Sequence, residues 1–444
     1  MRYCISKLFV LRENLQGDYI LYNKETFYVY HISAKLYHLL SCFLTPTSFA
    51  DFDQECLQYG IDNHDFYKFI HQTEFKDVLA CALPGRQHYD YVRPNFATPF
   101  TYRTPERVDF VITRHCNLCC KHCFESSSPL VTMTAFAEPQ ITRVIGQLEA
   151  SHIKSLKVTG GEPLTHPSAQ LFLSQAGECH FETTLLTNGL LIDEACMATL
   201  RDGHIRLGIS LDGATSQTHD YIRGKGSFDK LIPILKEIKR NRIYLSITCT
   251  LSKHNLSETG KVVGLVLDEI QADKLILSPL ISMGRATEHT NIALTAEDAL
   301  QIEDIYHKAA EAYGESLEWA DATKDGQIEM IGNDISCIAG NSLIAIDEHF
   351  DVYPCLYGVG FHQYAMGNLL REDLADIWSS QRWLPFRGGT VLGDLPECRI
   401  CGKNKACALK VCRLRPLFEG NGFYGKLSFC GKNHEKICPP IINH

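Results

Sequence analysis

Thr113-Arg-His-Cys-Asn-Leu-Cys-Cys-Lys-His-Cys-Phe-Glu125 places Cys116, Cys120 and Cys123 in the spacing C-x3-C-x2-C, directly after an apolar run at 108–113. Three thiolates on one short loop can hold three irons of a cubane cluster and leave the fourth iron free to bind a small molecule. An electron-transfer ferredoxin would supply a fourth cysteine instead. Structural zinc is the competing reading, and zinc knuckles usually need a second ligand pair close by. The next cysteine after Cys123 is Cys179, so the zinc reading is weak. Cys119 lies inside the motif but off its spacing, and reads as a packed thiol.

Around this loop the chain alternates short apolar strands with helical stretches. Strand candidates fall at 108–113, 155–159, 182–186, 205–210, 243–250 and 274–278. Six such repeats predict a parallel sheet curling toward a barrel, a (β/α)6 partial TIM-like α/β fold. Active sites of such barrels gather at the C-terminal ends of the strands. There the second strand runs into Thr159-Gly160-Gly161-Glu162-Pro163-Leu164. The glycines let backbone approach a ligand, and the carboxylate can receive an ammonium group. The third strand ends in Thr187-Asn188-Gly189, which as a dipeptide is above all a turn. The fourth ends in Ser210-Leu-Asp212, followed by His219 and Arg223.

The cysteine loop, with Gly-Gly-Glu-Pro about 40 residues later, resembles the radical S-adenosylmethionine (SAM) enzymes. The resemblance implies SAM and one 4Fe–4S cluster with an open iron, held by Cys116, Cys120 and Cys123. It assigns Gly160, Gly161, Glu162 and Pro163 to the SAM amino group, and Thr187 and Asn188 to its ribose or adenine edge. Ser210 and Arg223 take the SAM carboxylate and ribose, whereas Asp212 and His219 shape the loop. Thr248, Thr250 and Asn255, and the segment ending in Arg285, resemble the remaining site-lining segments. Reductive cleavage of SAM would give a 5'-deoxyadenosyl radical that abstracts a hydrogen atom, chemistry that needs a dry site. No catalytic residue is assigned beyond this cluster.

Composition sets the outer bounds. With 444 residues, 45% hydrophobic and 10% aromatic, the chain is an ordinary globular protein of two or three domains. Its net charge of -9 carries no basic stripe, which argues against nucleic acid as a partner. There is no signal peptide and no apolar run long enough to span a membrane, so a cytoplasmic location is expected. Nineteen cysteines are too many for a reducing compartment unless metal explains them. Eight lie between Cys337 and Cys438, and three form the loop. The other eight, among them Cys81, Cys119 and Cys249, are scattered and read as small buried hydrophobes.

Cys337, Cys355, Cys398, Cys401, Cys407, Cys412, Cys430 and Cys438 form the second constellation. Val352-Tyr-Pro-Cys355 and Cys398-x2-Cys401-x5-Cys407 resemble the SPASM extension, which houses two auxiliary iron–sulfur clusters. The chain departs from that pattern at three points. Phe350 stands where a glycine is expected, Cys412 comes one residue late, and Leu343 occupies a place where many members supply a ligand. The family's ligation implies Cys398, Cys401, Cys407 and Cys430 for the second cluster and Cys337, Cys355 and Cys412 for the first. Its fourth ligand is Cys438 or an open site. Auxiliary clusters accept the electron left when a substrate radical closes its shell, which suits a two-electron oxidation.

Ahead of the barrel, strands at 7–11, 18–23 and 26–32 precede helices at 34–43, 48–58 and 63–75. A three-stranded sheet followed by three helices resembles the RiPP recognition element, a winged-helix-like α+β module. It binds leader peptides of ribosomally made precursors by strand addition. The expected organisation is a recognition module at 1–95, a barrel at 96–325 and a SPASM domain at 326–444, with a Pro-, Tyr- and Arg-rich linker near 84–104. The expected function is a peptide maturase that oxidises, and crosslinks, a precursor peptide bound through its leader. A flavodoxin- or ferredoxin-type donor would supply the electron. The rival is an anaerobic sulfatase-maturing enzyme making formylglycine, whose base follows the G-x4-C cysteine; Leu356 occupies that position here. A catalytically silent iron–sulfur binding protein would show decayed SAM motifs, and these are intact.

Overall fold

The structure, a computed structural model, describes residues 2–14, 17–24, 26, 28–81, 101–319, 328–331, 334–387, 412 and 414. Cys398, Cys401, Cys407, Cys430, Cys438 and most of the linker segment lie outside the described residues.

Strands β1 (Tyr3–Ile5), β2 (Phe9–Glu13), β3 (Tyr19–Asn23) and β4 (Val29–Ile32) open the chain. Helices α1 (Ala34–Ser41), α2 (Phe49–Tyr59) and α3 (His64–Ile70) follow, and β5 (Leu79–Cys81) returns to pair with β1. β2, β3 and β4 form the antiparallel sheet expected from the sequence. The β1–β5 pair was not expected. Ser33 and Ser48 cap α1 and α2 through their side chains, and Gly60 ends α2 in the left-handed conformation. Phe43, Phe52 and Phe66 pack together at the centre of this unit, with Phe43 and Phe66 stacked at 5.3 Å.

The barrel strands are β6 (Arg107–Thr113), β7 (Ser155–Gly160), β8 (Glu182–Thr187), β9 (Arg206–Ser210), β10 (Leu245–Leu251), β11 (Lys274–Pro279) and β12 (Leu317–Trp319). Between them run α4 (Glu138–Ala150), α5 (Ala169–Gly177), α6 (Glu194–Asp202), α7 (Ser216–Arg223), α8 (Ser227–Arg240), α9 (Thr259–Val263) and α10 (Ala296–Tyr313). All seven strands pair in parallel and in chain order. The six expected repeats are therefore present, with β12 added as a short seventh strand.

The alternation within each strand explains both faces. On β10, Leu245, Ile247, Cys249 and Leu251 are buried in the core shared with the helices, while Ser246, Thr248 and Thr250 are half-exposed on the opposite face. α4 meets that core with Ile141, Val144, Ile145 and Leu148, one face at 3.6-residue spacing. Thr159, Thr184, Ser210 and Ser278 are likewise half-exposed. That face thus carries hydroxyls at these positions, where a closed eight-stranded barrel fills its interior mainly with branched side chains.

After β13 (Ile328–Ile331) and β14 (Asp334–Cys337), β15 (Leu343–Ile346) adds in parallel to the free edge of β6. β16 (Asp351–Tyr353) and β17 (Gly367–Asn368) extend the sheet antiparallel, and α11 (Leu374–Trp378) closes the described part. One ten-stranded sheet therefore runs from β12 to β17. Trp378 and Trp383 from this extension lie in the same core as the barrel helices.

The N-terminal unit docks on the end of the barrel where the strands begin. The Arg12 guanidinium donates to the carbonyls of Thr104, Pro105 and His152, at 3.2–3.3 Å. Tyr22 hydrogen-bonds Glu182 at the start of β8, and Lys24 donates to the carbonyls of Cys179 and Phe181. The unit thus sits opposite the cysteine loop, which follows the end of β6.

Candidate active site and cysteine loops

The loop after β6 carries Cys116 and Cys120 buried and Cys123 half-buried. Cys119 is exposed, contrary to the packed thiol expected. Cys81 is exposed as well, on the three-residue strand β5, whereas Cys56, Cys179, Cys196 and Cys249 are buried as expected.

Several elements hold the loop. Arg285 donates to the carbonyl of Cys120 at 2.7 Å and to those of Ser126 and Ser127, while its own amide donates to the Cys123 carbonyl at 3.0 Å. Gly284 beside it has φ +55, and a Cβ there would sit 2.1 Å from the Phe124 carbonyl oxygen. From the other side, a Cβ on Gly161 would lie 2.2 Å from the His115 carbonyl oxygen. Only glycine lets the end of β7 reach the loop so closely.

The donor set suits a cubane. The Leu118 amide donates to Cys116 Sγ at 3.4 Å, the kind of contact that tunes cluster sulfurs. Burial pushes the Cys116 thiol up to about 12, and neighbouring Cys120 and Cys123 push the same way. A metal relieves that cost by displacing the proton. Among the described residues no three Cys, His, Asp or Glu side chains converge tightly enough to share one ion. A cubane asks for less convergence, because it spreads three thiolates over three corners.

Glu162 is fully buried. Its Oε1 accepts from Thr187 Oγ1 and the Leu164 amide, and its Oε2 from the Asn188 amide at 2.7 Å. Burial pushes its pKa up against the pull of these three donors. One lone-pair direction remains on Oε2 for an ammonium group. The carboxylate thus locks the ends of β7 and β8 together, and Asn188 continues the chain by donating to Asn117 in the cysteine loop at 2.7 Å. Pro163 is buried at the start of the following turn, and Gly160 has φ +139 against Thr113.

Asp212 is the second hub. It is fully buried and accepts from Arg223 Nε at 2.6 Å, His122 Nε2 at 2.8 Å and the Thr250 amide at 2.8 Å. Burial alone would raise its pKa, but Arg223 and His122 outweigh that and hold it well below the usual carboxylate range. Asn255 donates to the carbonyls of Asp212 and Thr250, and the Asp212 amide donates to His219 Nδ1. Only Nε of Arg223 is spent on Asp212, so the forked end of the guanidinium is left to face an anionic group. Ser210, at the end of β9, pairs with Thr248 on the lumen face. Sequence reading gave Asp212 a loop-shaping role; its link to His122, inside the cysteine motif, carried no local signal.

In the extension, Cys355 is half-buried, and its thiol is pushed well above its ordinary value by desolvation and then by Cys337 and Cys412 nearby. Those three cysteines, far apart in sequence, are thus neighbours. Phe350, in the turn between β15 and β16, takes φ +66 and packs on Phe136 at 4.6 Å. The glycine expected there would adopt this angle without strain.

Comparison with known proteins agrees with this geometry. Residues 110–266 match the radical SAM superfamily, and residues 337–407 match the SPASM iron–sulfur cluster-binding domain. The chain carries a radical SAM domain followed by a SPASM domain. Its cofactors are therefore SAM and a 4Fe–4S cluster in the barrel, with further iron–sulfur binding in the SPASM domain. The AdoMet-dependent heme synthase of Methanosarcina barkeri is 25% identical over 73% of this chain and 96% of its own length. The subtilosin biosynthesis protein AlbA of Bacillus subtilis is 24% identical over 74% of this chain and 71% of its own. Streptococcus suis SuiB, solved with its precursor peptide SuiA, shares the fold at TM-score 0.71 and 17% identity, over 97% of this chain and 100% of that one. No helix among the described residues is long and apolar enough to cross a membrane.

Proposed function

We propose that this radical SAM/SPASM protein is a peptide maturase that oxidises a ribosomally made precursor by two electrons, forming a crosslink. The observation that carries the reading is the N-terminal unit. Its sheet and three helices have a counterpart in SuiB, since that match leaves out only 3% of this chain. β4 pairs with β3 on one side, and among the described residues no strand lies on its other side. Such an edge accepts an extended leader peptide through main-chain hydrogen bonds.

Cys116, Cys120 and Cys123 would hold the barrel cluster. Cys337, Cys355 and Cys412 would hold the first auxiliary one, and Cys398, Cys401, Cys407 and Cys430 the second, with Cys438 or an open site completing the first. SAM bound at the barrel cluster is a source of a hydrogen-abstracting radical, supplied with one electron by a flavodoxin- or ferredoxin-type donor. In this reading Glu162 takes the SAM ammonium on its remaining lone pair, with Gly160, Gly161 and Pro163 shaping the approach. Thr187 and Asn188 line the ribose side. Arg223, fixed by Asp212, faces the carboxylate beside Ser210.

The leader edge and the cysteine loop lie at opposite ends of strands about 17–20 Å long. A substrate therefore needs several extended residues between its anchor and the residue attacked. The formylglycine rival lacks its proton acceptor at Leu356 and has no use for the N-terminal unit.

The test is anaerobic co-expression with the short reading frames beside the gene, read by intact mass. A peptide lighter by two hydrogens, absent with Cys120→Ala, supports the proposal. In that variant 5'-deoxyadenosine formation should vanish while peptide binding persists. No mass change in any neighbouring peptide, with SAM still cleaved, would reject it.

A further inference from the structure

Where the two cysteine-bearing loops meet, the chain holds a polar group that nothing above uses. Phe124, next to Cys123, packs edge-on against Tyr357, two residues after Cys355, at 5.3 Å. Beside this contact Arg114 Nε lies 3.3 Å from Glu348 Oε1, and the Arg114 fork presses on Gly360, where a Cβ would meet it at 2.8 Å. Glu348 lies two residues past the end of β15, whose ladder with β6 runs toward the start of the cysteine loop. Glu125 faces the same guanidinium and feels both it and Glu348.

This group is incompletely satisfied. Glu348 Oε2 is buried and has no hydrogen-bond donor, and Arg114 Nε is too poorly aligned to make a hydrogen bond. The Tyr353 hydroxyl, fully buried, lies near Asp347 and Arg114. Native proteins pair nearly all such atoms, so each unpaired one calls for an explanation, and a catalytic role is one of them. The position after Cys355, where the sulfatase-type enzymes carry their base, is Leu356 and cannot serve.

We propose that Glu348 is the proton acceptor of the oxidation, with Arg114 as its positioning residue. The inference rests on the maturase reading given above. Joining a carbon to an X–H group removes two hydrogens from the peptide. One leaves as a hydrogen atom on 5'-deoxyadenosine. The other leaves as a proton to Glu348 Oε2, and its electron goes to a one-electron oxidant, an iron–sulfur centre of the SPASM class. The C–H and X–H bonds break and the C–X bond forms, so atoms and electrons balance. A buried carboxylate oxygen without a donor is free to take that proton, and Arg114, 3.3 Å from Oε1, holds the carboxylate in place.

The experiment compares wild type, Glu348→Gln and Glu348→Asp as reconstituted holoenzymes, using the neighbouring-frame peptide that the wild type makes lighter by two hydrogens. Glu348→Gln should form 5'-deoxyadenosine within about threefold of wild type while the product falls about 100-fold or more, the usual worth of a general base. Peptide recovered from deuterium oxide should carry deuterium where the stranded radical was quenched. Peptide affinity measured without SAM, and the melting temperature, should match wild type, and Glu348→Asp should recover part of the product. An unchanged ratio of product to 5'-deoxyadenosine in Glu348→Gln would overturn the proposal. So would parallel loss of product, SAM cleavage and peptide affinity in both variants, which would make Glu348 a structural residue. If the wild type itself modifies no peptide, the maturase reading fails first, and it fails separately.

Discussion

At the scale of single residues, Phe350 shows how the chain manages a departure from its family. A side chain at φ +66 costs about 1–2 kcal/mol in the left-handed region. Phe350 recovers this by burial between Phe110 and Phe136, where losing the ring would cost about 3–5 kcal/mol. Restoring the family residue should therefore destabilise: Phe350→Gly is expected to lose roughly 1–4 kcal/mol in urea denaturation. A variant as stable as wild type would mean that the aromatic packing contributes nothing net. Cys119 teaches the opposite lesson about spacing. A motif fixes which thiols can share a cluster, but the direction of an intervening side chain depends on the backbone of a folded loop.

At the scale of elements, the cysteine loop is shaped by segments distant in sequence, chiefly Gly284 and Arg285. Gly284→Ala places a Cβ at φ +55 within 2.6 Å of the Cys123 carbonyl oxygen as well as against Phe124. The loop must move, so iron bound after reconstitution should fall, while the far-ultraviolet circular dichroism of the barrel stays unchanged. Full iron loading would show that the loop tolerates the shift.

The elements also show what sequence conveys. The six barrel strands were legible to within two residues, because alternation of apolar side chains is a local property. β1, β5 and β12 were not, since strands of three residues carry too little alternation to read. The motif residues at the strand ends were legible for the same local reason. Their partnerships were not: Asp212 with His122, Arg285 with the loop carbonyls and Arg114 with Glu348 arise only when the sheet brings distant segments together.

At the scale of the whole molecule, the N-terminal unit is fastened by buried polar contacts as well as apolar ones. Lys24 is pressed into this junction, and burial lowers its pKa from 10.5 to about 8. Between those values the unfolded chain binds more protons than the folded one, so this group adds stability as pH rises from 8 to 10.5. Below pH 8 its penalty is constant. The melting temperature of wild type should therefore gain on that of Lys24→Gln across this window and run parallel to it below pH 8. Parallel curves throughout would mean that Lys24 is solvated in the folded protein.

The junction between β6 and β15 bears on how such chains diverge. It is a ladder of main-chain hydrogen bonds, and peptide groups are the same whatever side chains they carry. Substitutions can accumulate on both strands without altering how the extension is hung on the barrel. That tolerance accounts for a fold shared with SuiB across nearly the full chain at 17% identity. It also means that the gap between the two cysteine-bearing loops is inherited through backbone spacing, about 4.8 Å per strand, while the residues facing that gap are free to change. A lineage can then acquire a new substrate by altering lumen side chains alone, with the spacing between its redox centres preserved.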